Sequence, residues 1–138
     1  MTSRIAWRDS FAVGDPLIDG QHRAFFSDLD QVVDAVEGGA PRDEVLGSFR
    51  RFLSALSQHF RDEETLLARY AYPELRGHSD EHTALLASVT AIESLLMASN
   101  SPVELNYVIR TLFASLVEHL VSEDMRYKSW LLRHTKPG

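Results

Sequence analysis

The chain carries four stripes of mostly apolar residues whose spacing alternates between three and four positions, which is the spacing of one face of an α-helix. The stripes are Ile18, His22, Phe25, Leu29, Val32 and Val36; Phe49, Phe52, Leu56, His59, Glu63 and Leu66; Leu75, His78, His82, Leu85, Val89, Ile92 and Leu96; and Leu105, Ile109, Leu112, Leu116 and His119. The alternation typical of β-strands is weak throughout. The pattern therefore predicts four long helices that each bury one face.

Glycine and proline separate these stripes from one another. Gly38, Gly39 and Pro41 follow the first stripe, Pro73 precedes the third, and Pro102 precedes the fourth. Proline fits the first turn of a helix because its missing N–H would have no intrahelical partner there. The predicted helices cover residues 18–38, 41–70, 73–98 and 102–133, after an irregular N-terminal arm at residues 1–17. Four helices with short connections predict an all-α, antiparallel up-down-up-down four-helix bundle, a single domain over residues 1–138.

Composition narrows the possible functions. A chain of 138 residues, 44% of them hydrophobic, has the size and composition of one soluble globular domain. It contains no cysteine, which excludes disulfides, thiolate metal ligands and thiol catalysis. The net charge of -6 argues against a nucleic-acid partner. The sequence shows no signal peptide and no membrane-spanning run, so we expect a cytoplasmic protein without membrane insertion.

Six polar residues occupy inward positions of the stripes, where apolar residues are expected. They are His22, His59, Glu63, His78, His82 and His119. A single buried histidine is most often a hydrogen-bonded core residue, but five of them on four facing helices would bury many polar atoms without compensation. A metal provides that compensation, because neutral imidazole and carboxylate are common metal ligands. The pattern therefore predicts a metal site inside the bundle.

Spacing within the helices supports this hypothesis. Two pairs of the inward residues lie four positions apart, and each pair therefore shares one helix face: His59 with Glu63, and His78 with His82. After His119, two carboxylates follow, Glu123 at four positions and Asp124 at five. Five residues of an ideal α-helix rotate by about 140°, so simple periodicity prefers Glu123. Geometry alone leaves both carboxylates open as ligands.

The chain resembles the hemerythrin family, and in particular the single-domain bacterial hemerythrins. The resemblance rests on Trp7, on VGDPLIDGQH at 13–22, on HFRDEE at 59–64, on HSDEH at 78–82, and on HLVSED with Tyr127 at 119–127. It implies a non-haem di-iron centre with an oxo or hydroxo bridge. His22 and His59 would hold one iron, and the other iron would be held by His78, His82 and His119. Glu63 and Asp124 would bridge the two irons, since the family pattern places the last carboxylate five residues after the last histidine.

The same resemblance implies reversible binding of dioxygen for storage, transport or delivery. We therefore expect a binding protein and not an enzyme. The ligand set leaves one coordination position open, on the iron with two histidines. The resemblance also implies an apolar oxygen pocket with Phe60, Leu116 and Leu120 in its walls. Family members often have tryptophan at the position of Ser115, and we expect this small hydroxyl to open a path for water and to accelerate autoxidation.

Three alternatives compete with this interpretation. Residues 78–82 satisfy H-x-x-E-H, a zinc-protease pattern in which Glu81 would be the general base. Such a site needs one third ligand, and the four donors that remain after it exceed what one zinc needs. A di-iron oxidase or iron-storage bundle would use Glu-x-x-His pairs, and the sequence has none. A sensor of oxygen, nitric oxide or redox state would use the same di-iron centre together with an unidentified protein partner that docks on the bundle.

Overall fold

The computed structural model describes residues 9–99 and 101–134. Trp7 and the first eight residues of the predicted arm lie outside the described residues. The described elements, in chain order, are a 3-10 turn at Asp9–Phe11, α1 at Pro16–Glu37, α2 at Arg42–Arg69, α3 at Leu75–Ala98, α4 at Pro102–His119, a π-helical turn at Leu120–Asp124 and α5 at Met125–His134. Within these ranges the chain is helical without strands, and the predicted all-α bundle is confirmed.

Local sequence explains where the helices begin. The backbone N–H of Ile18 donates to the Asp15 carboxylate at 3.1 Å, and Pro16 occupies the first turn, so α1 begins two residues earlier than its stripe suggests. At the start of α4, the N–H of Glu104 donates to the Ser101 hydroxyl at 3.2 Å. These caps satisfy donors that have no intrahelical partner.

Two left-handed residues help to end α1 and α2. Gly39 has φ of 70° in the connection between them, where glycine avoids the clash that a side chain would cause. Ala71 has φ of 53° just after α2, and Tyr72 follows it with its N–H bonded to the carbonyl of Leu67 at 2.9 Å. These tight reversals bring consecutive helices side by side in opposite directions.

The apolar faces meet in a continuous core. Helix α1 packs against α2 and α4, and α3 packs against α2 and α4, which closes the ring of four. Phe49, Phe52, Leu56, Val89 and Ile109 have no exposed surface in this core. Burial of this kind is the main favourable contribution to folding.

The last helical segment differs from the prediction of one helix over residues 102–133. α4 ends at His119, the π-helical turn of Leu120–Asp124 follows, and α5 continues from Met125. A π-turn widens the helix by bonding each residue to the one five positions away, so it changes which side chains point inward. None of the described helices is both long and apolar enough to cross a membrane.

The chain just before α1 is fixed to the same end of the bundle. The N–H groups of Val13 and Gly14 donate to the Asp19 carboxylate at 2.7 and 3.2 Å. Val13 and Tyr127 then pack in a small apolar cluster next to the inward histidines. Asp19 therefore anchors the arm, whereas Asp15 caps the helix.

Candidate metal centre

Seven polar side chains converge inside one end of the bundle. They are His22 from α1, His59 and Glu63 from α2, His78 and His82 from α3, His119 from α4, and Asp124 from the π-turn. Each is buried, with 6% exposure or less. The six on the helical stripes point inward because α-helical positions three and four apart share a face.

The inner ring nitrogens and the two carboxylates are in close contact. Nε2 of His78 lies 2.6 Å from Glu63 Oε1, and Nε2 of His82 lies 2.9 Å from the same oxygen. Nε2 of His22 and Nε2 of His119 each lie 3.2 Å from Asp124. Each of these imidazoles therefore directs Nε2 toward the middle of the cluster.

The donors form two overlapping groups. One group contains Glu63, His78, His82, His119 and Asp124; the other contains His22, His59, Glu63 and Asp124. Within each group the ligand atoms lie within 4.8 Å of one another, and both carboxylates belong to both groups. Imidazole and carboxylate are hard-to-borderline donors that suit iron and similar divalent metals. The arrangement therefore suits cations that share the two carboxylates.

Unpartnered buried atoms support the same conclusion. Nε2 of His82, Nε2 of His119 and Oδ1 of Asp124 lie within 3.2 Å of other polar atoms of the cluster, but in the described part of the chain none of the three has a partner in hydrogen-bonding geometry. Nε2 of His22 also faces Nε2 of His59 at 3.1 Å. Buried polar atoms without partners cost free energy, and a bound cation would accept their lone pairs. The donor set therefore fits a metal.

The π-turn explains why Asp124 joins the cluster and Glu123 does not. In an uninterrupted α-helix, Glu123 would lie closer than Asp124 to the face of His119. Because the turn bonds residues five positions apart, Asp124 takes that place and is 1% exposed. Glu123 is turned away and lies 3.8 Å from Arg126.

The cluster holds protons when no metal occupies it. Burial opposes a charge on His22 and on His78, but hydrogen bonds to Asp124 and Glu63 outweigh burial and raise their pKa values to about 9 and about 10. Burial lowers the pKa of His59. Burial would raise the pKa of Glu63, yet the hydrogen bonds from the surrounding imidazoles hold it well below its usual range. Metal binding must displace these protons.

Several residues that contact the cluster were not predicted as part of the site. Nδ1 of His82 donates to Glu64 at 2.8 Å, and Nδ1 of His59 donates to Gln21 at 2.7 Å. The Tyr127 hydroxyl donates to Glu63 Oε2 at 2.7 Å. Glu64 follows Glu63 on a helix face that sequence patterns assign to solvent. The available signal is chemical, since a metal-binding imidazole needs an acceptor for its outer N–H.

Glu81 lies outside the centre. Its side chain is 45% exposed, and its carboxylate lies 3.8 Å from the outer nitrogen of His119. A zinc-protease base would have to face the inner side of the histidines, where a substrate would meet the metal. The geometry therefore argues against the zinc-protease alternative.

A small cavity adjoins the cluster on the side of His22 and His59. The space open to the centre of a water-sized sphere is about 20 Å³, enough for one small molecule. Its walls are formed by His22, Phe25, Phe26, Leu29, Leu56, His59, Phe60, Phe113, Leu116, Val117, His119, Leu120 and Asp124. Phe60, Leu116 and Leu120, which were expected in an oxygen pocket, therefore line a cavity that is largely apolar.

Ser115, which was expected beside the oxygen pocket, does not line this cavity. Its side chain is exposed, whereas the neighbouring Leu116 is buried in the cavity wall. Adjacent residues of an α-helix are about 100° apart, so the two side chains point in different directions. The partly exposed residues of the wall are Phe25 on α1 and Val117 on α4.

The sequence is similar to known proteins whose family description agrees with a cation-binding cluster. A family model described as the Hemerythrin HHE cation binding domain matches residues 13–131. A hemerythrin-like protein of Naegleria gruberi is 24% identical over 125 residues, covering 91% of this chain and 92% of the relative. Hemerythrin subunit alpha of Lingula reevii is 27% identical over 126 residues, covering 91% and 94%. A bacteriohemerythrin of Ralstonia nicotianae is 29% identical over 83 residues, covering 60% and 57%. Because the family model spans most of the sequence, the chain belongs to the hemerythrin HHE cation-binding domain family.

Proposed function

We propose that this protein binds dioxygen reversibly at a non-haem di-iron centre, as an oxygen storage or delivery protein and not as an enzyme. The observation that carries the proposal is the small apolar cavity beside the half of the cluster that has fewer histidines. A ligand the size of dioxygen fits a cavity of this volume.

Seven residues would hold two irons joined by an oxo or hydroxo bridge. His22 and His59 would bind one iron; His78, His82 and His119 would bind the other; Glu63 and Asp124 would bind both. The iron pair supplies the electrons that make dioxygen binding favourable and reversible. The protein supplies the position of the ligands and the exclusion of water.

Aromatic side chains keep the site dry and hold the histidine rings. Phe60 stacks on the ring of His82, with centroids 3.8 Å apart and an angle of 9°. Phe25 lies edge-on to His59 at 4.7 Å. Such packing fixes ring orientation and removes space for additional water molecules. A dry, apolar cavity disfavours the proton transfer and water entry that would consume the bound ligand.

Tyr127 holds one of the shared carboxylates. Its hydroxyl is fully buried and donates to Glu63 Oε2, and its ring packs 5.4 Å from that of His78. Because a carboxylate that accepts a fixed hydrogen bond loses rotational freedom, this contact keeps Glu63 between the two groups of histidines.

The ratio of histidines to carboxylates in the cluster favours reversible binding of dioxygen over its activation for chemistry. Five histidines stand against two carboxylates in the cluster, whereas ferritin-like oxidases and storage proteins use carboxylate-rich sites. A sensor of dioxygen or nitric oxide could use this centre with a protein partner, and it would share the ligand-binding step.

The proposal is tested by the absorption spectrum of the iron-loaded protein. The protein is reduced without air, exposed to air, and then deoxygenated under vacuum. We expect new visible bands that appear with air and vanish on deoxygenation, over several cycles. Irreversible bleaching in the first cycle, or zinc as the bound metal, would contradict the proposal. Nitric oxide added to the reduced form tests the alternative ligand.

A further inference from the structure

The cluster has two halves that differ in their number of histidines and in the partners of their outward-facing ring nitrogens. We define the three-histidine half as His78, His82 and His119, and the two-histidine half as His22 and His59. We propose that the three-histidine half takes up its cation first and releases it last, and that Glu64 is the positioning residue that sets this order. The inference rests on the proposed two-cation centre.

A carboxylate holds the outer nitrogen of His82. Nδ1 of His82 donates to Glu64 Oε2 at 2.8 Å, which leaves the lone pair of Nε2 facing the cluster. Ser79 donates to the other Glu64 oxygen at 2.9 Å and fixes the carboxylate in place. A negative charge behind an imidazole strengthens that imidazole as a metal ligand.

A second carboxylate stands behind the same half at longer range. Glu81 lies 3.8 Å from Nδ1 of His119 and is largely exposed to solvent. Solvent weakens such a charge, so its contribution is smaller than that of Glu64. Both carboxylates nevertheless act on the three-histidine half.

The two-histidine half has a neutral partner instead. Nδ1 of His59 donates to the amide oxygen of Gln21 at 2.7 Å, and the amide nitrogen of Gln21 donates to Asp62 at 2.7 Å. Gln21 therefore separates the negative charge of Asp62 from the ring of His59. Nδ1 of His22 is buried and has no hydrogen-bond partner within residues 9–99 and 101–134. These rings are weaker donors than His82.

Both differences act in the same direction. The three-histidine half has one more imidazole, and one of its rings has a direct carboxylate partner. Loss of a partner of this kind usually lowers metal affinity by about 10-fold to 100-fold. Removal of the Glu64 charge should therefore weaken one cation position and leave the other almost unchanged.

Cobalt(II) provides the test, because it accepts imidazole and carboxylate ligands and is visible by absorption. The full chain is loaded with cobalt, mixed with excess chelator, and followed over time. We expect two release phases in the original protein. Glu64→Gln, which keeps an acceptor but removes the charge, should accelerate the slow phase by about 10-fold or more and leave the fast phase unchanged.

A charge-neutral exchange tests the other half. The double variant Gln21→Glu, Asp62→Asn moves one negative charge from residue 62 to residue 21, whose side-chain oxygen accepts the hydrogen bond of His59. The net charge of the chain stays the same. This double variant should slow the fast phase, which comes from the two-histidine half, so that the rates of the two release phases become similar. Asp80→Asn removes a charge from an exposed position on α3 and should change neither phase.

The outcomes separate the two proposals. Failure to bind two cobalt ions per chain would overturn the two-cation centre and this inference with it. Two ions released in a single phase, or a Glu64→Gln effect on the fast phase or on neither, would overturn the order of release alone. The metal-free Glu64→Gln protein should keep the circular dichroism and thermal midpoint of the original, which excludes a merely structural effect.

Discussion

The two ends of the bundle are equally buried but chemically opposite. Near the α1–α2 and α3–α4 connections, the interior consists of apolar residues such as Phe49, Val89 and Ile109, none with exposed surface. At the other end, buried positions on the same helices hold histidine and carboxylate. The apolar end is stable through burial alone, whereas the polar end needs a partner for its donors. Two equally buried ends of one bundle therefore differ in how much their stability depends on metal.

Metal removal should produce the largest difference between the ends. At a free cation concentration a thousand times the dissociation constant, each bound ion stabilises the folded chain by about 4 kcal/mol. We expect chelation to lower the thermal midpoint substantially and to increase hydrogen exchange first around the histidines. An unchanged midpoint would contradict a buried metal centre.

A cavity at the apolar end should destabilise the protein independently of metal. Phe49→Ala should cost about 3–5 kcal/mol in urea unfolding, because it removes a ring that has no exposed surface. The loss should be the same with and without metal. A much larger loss in the metal-loaded protein would show that the two ends are energetically coupled.

The polar end should make the metal-free protein sensitive to alkali. His22 and His78 have pKa values raised to about 9 and about 10 in the folded chain, above the ordinary value of 6.5. Between about pH 6.5 and pH 9 the folded chain therefore binds more protons than the unfolded chain, and stability falls as pH rises. We expect a loss on the order of a few kcal/mol across this window.

Metal binding should reverse that dependence, because the ligands must then be deprotonated. Urea unfolding at pH 6.5 and pH 9, with and without metal, measures both trends. Equal stability of the metal-free chain at the two pH values would show that the cluster does not hold these protons.

Ligand entry should depend on the partly exposed side of the cavity. Val117 lines the cavity, whereas Ser115, two positions earlier on α4, is exposed and does not. Val117→Trp should slow both azide binding and azide release several-fold in the iron-loaded protein, with little change in affinity. Ser115→Trp is the matched control and should leave these rates and autoxidation nearly unchanged. A larger effect at Ser115 would restore the water path expected from the sequence.

Sequence patterns predicted the architecture well, because it depends on features that repeat. The spacing of residues such as Phe52 and Leu56 repeats over several turns, and proline and glycine mark the ends of the helices. The histidines could be located because each replaces an apolar residue at an inward position. The spacing of the stripes therefore predicted both the four-helix architecture and the positions of most of the candidate metal ligands.

Other features of the site depend on local structure that does not repeat along the chain, so the spacing of the stripes could not predict them. The π-turn that brings Asp124 inward breaks the α-helical period, so Glu123 seemed preferable from spacing alone. Glu64 and Gln21 lie on helix faces that look solvated, and only the orientation of the rings shows that they accept hydrogen bonds. Ser115 is exposed outside the cavity wall, and its position in the family pattern does not show which way its side chain points.

The oxygen equilibrium of the reduced, iron-loaded protein tests the central claim most directly. Iron content and oxygen uptake are measured on the same sample, which is then evacuated and exposed again. The proposed centre predicts two irons per chain and one dioxygen taken up for each pair of irons, released under vacuum and bound again. A single iron per chain, or uptake that oxidises the protein without release, would contradict the account.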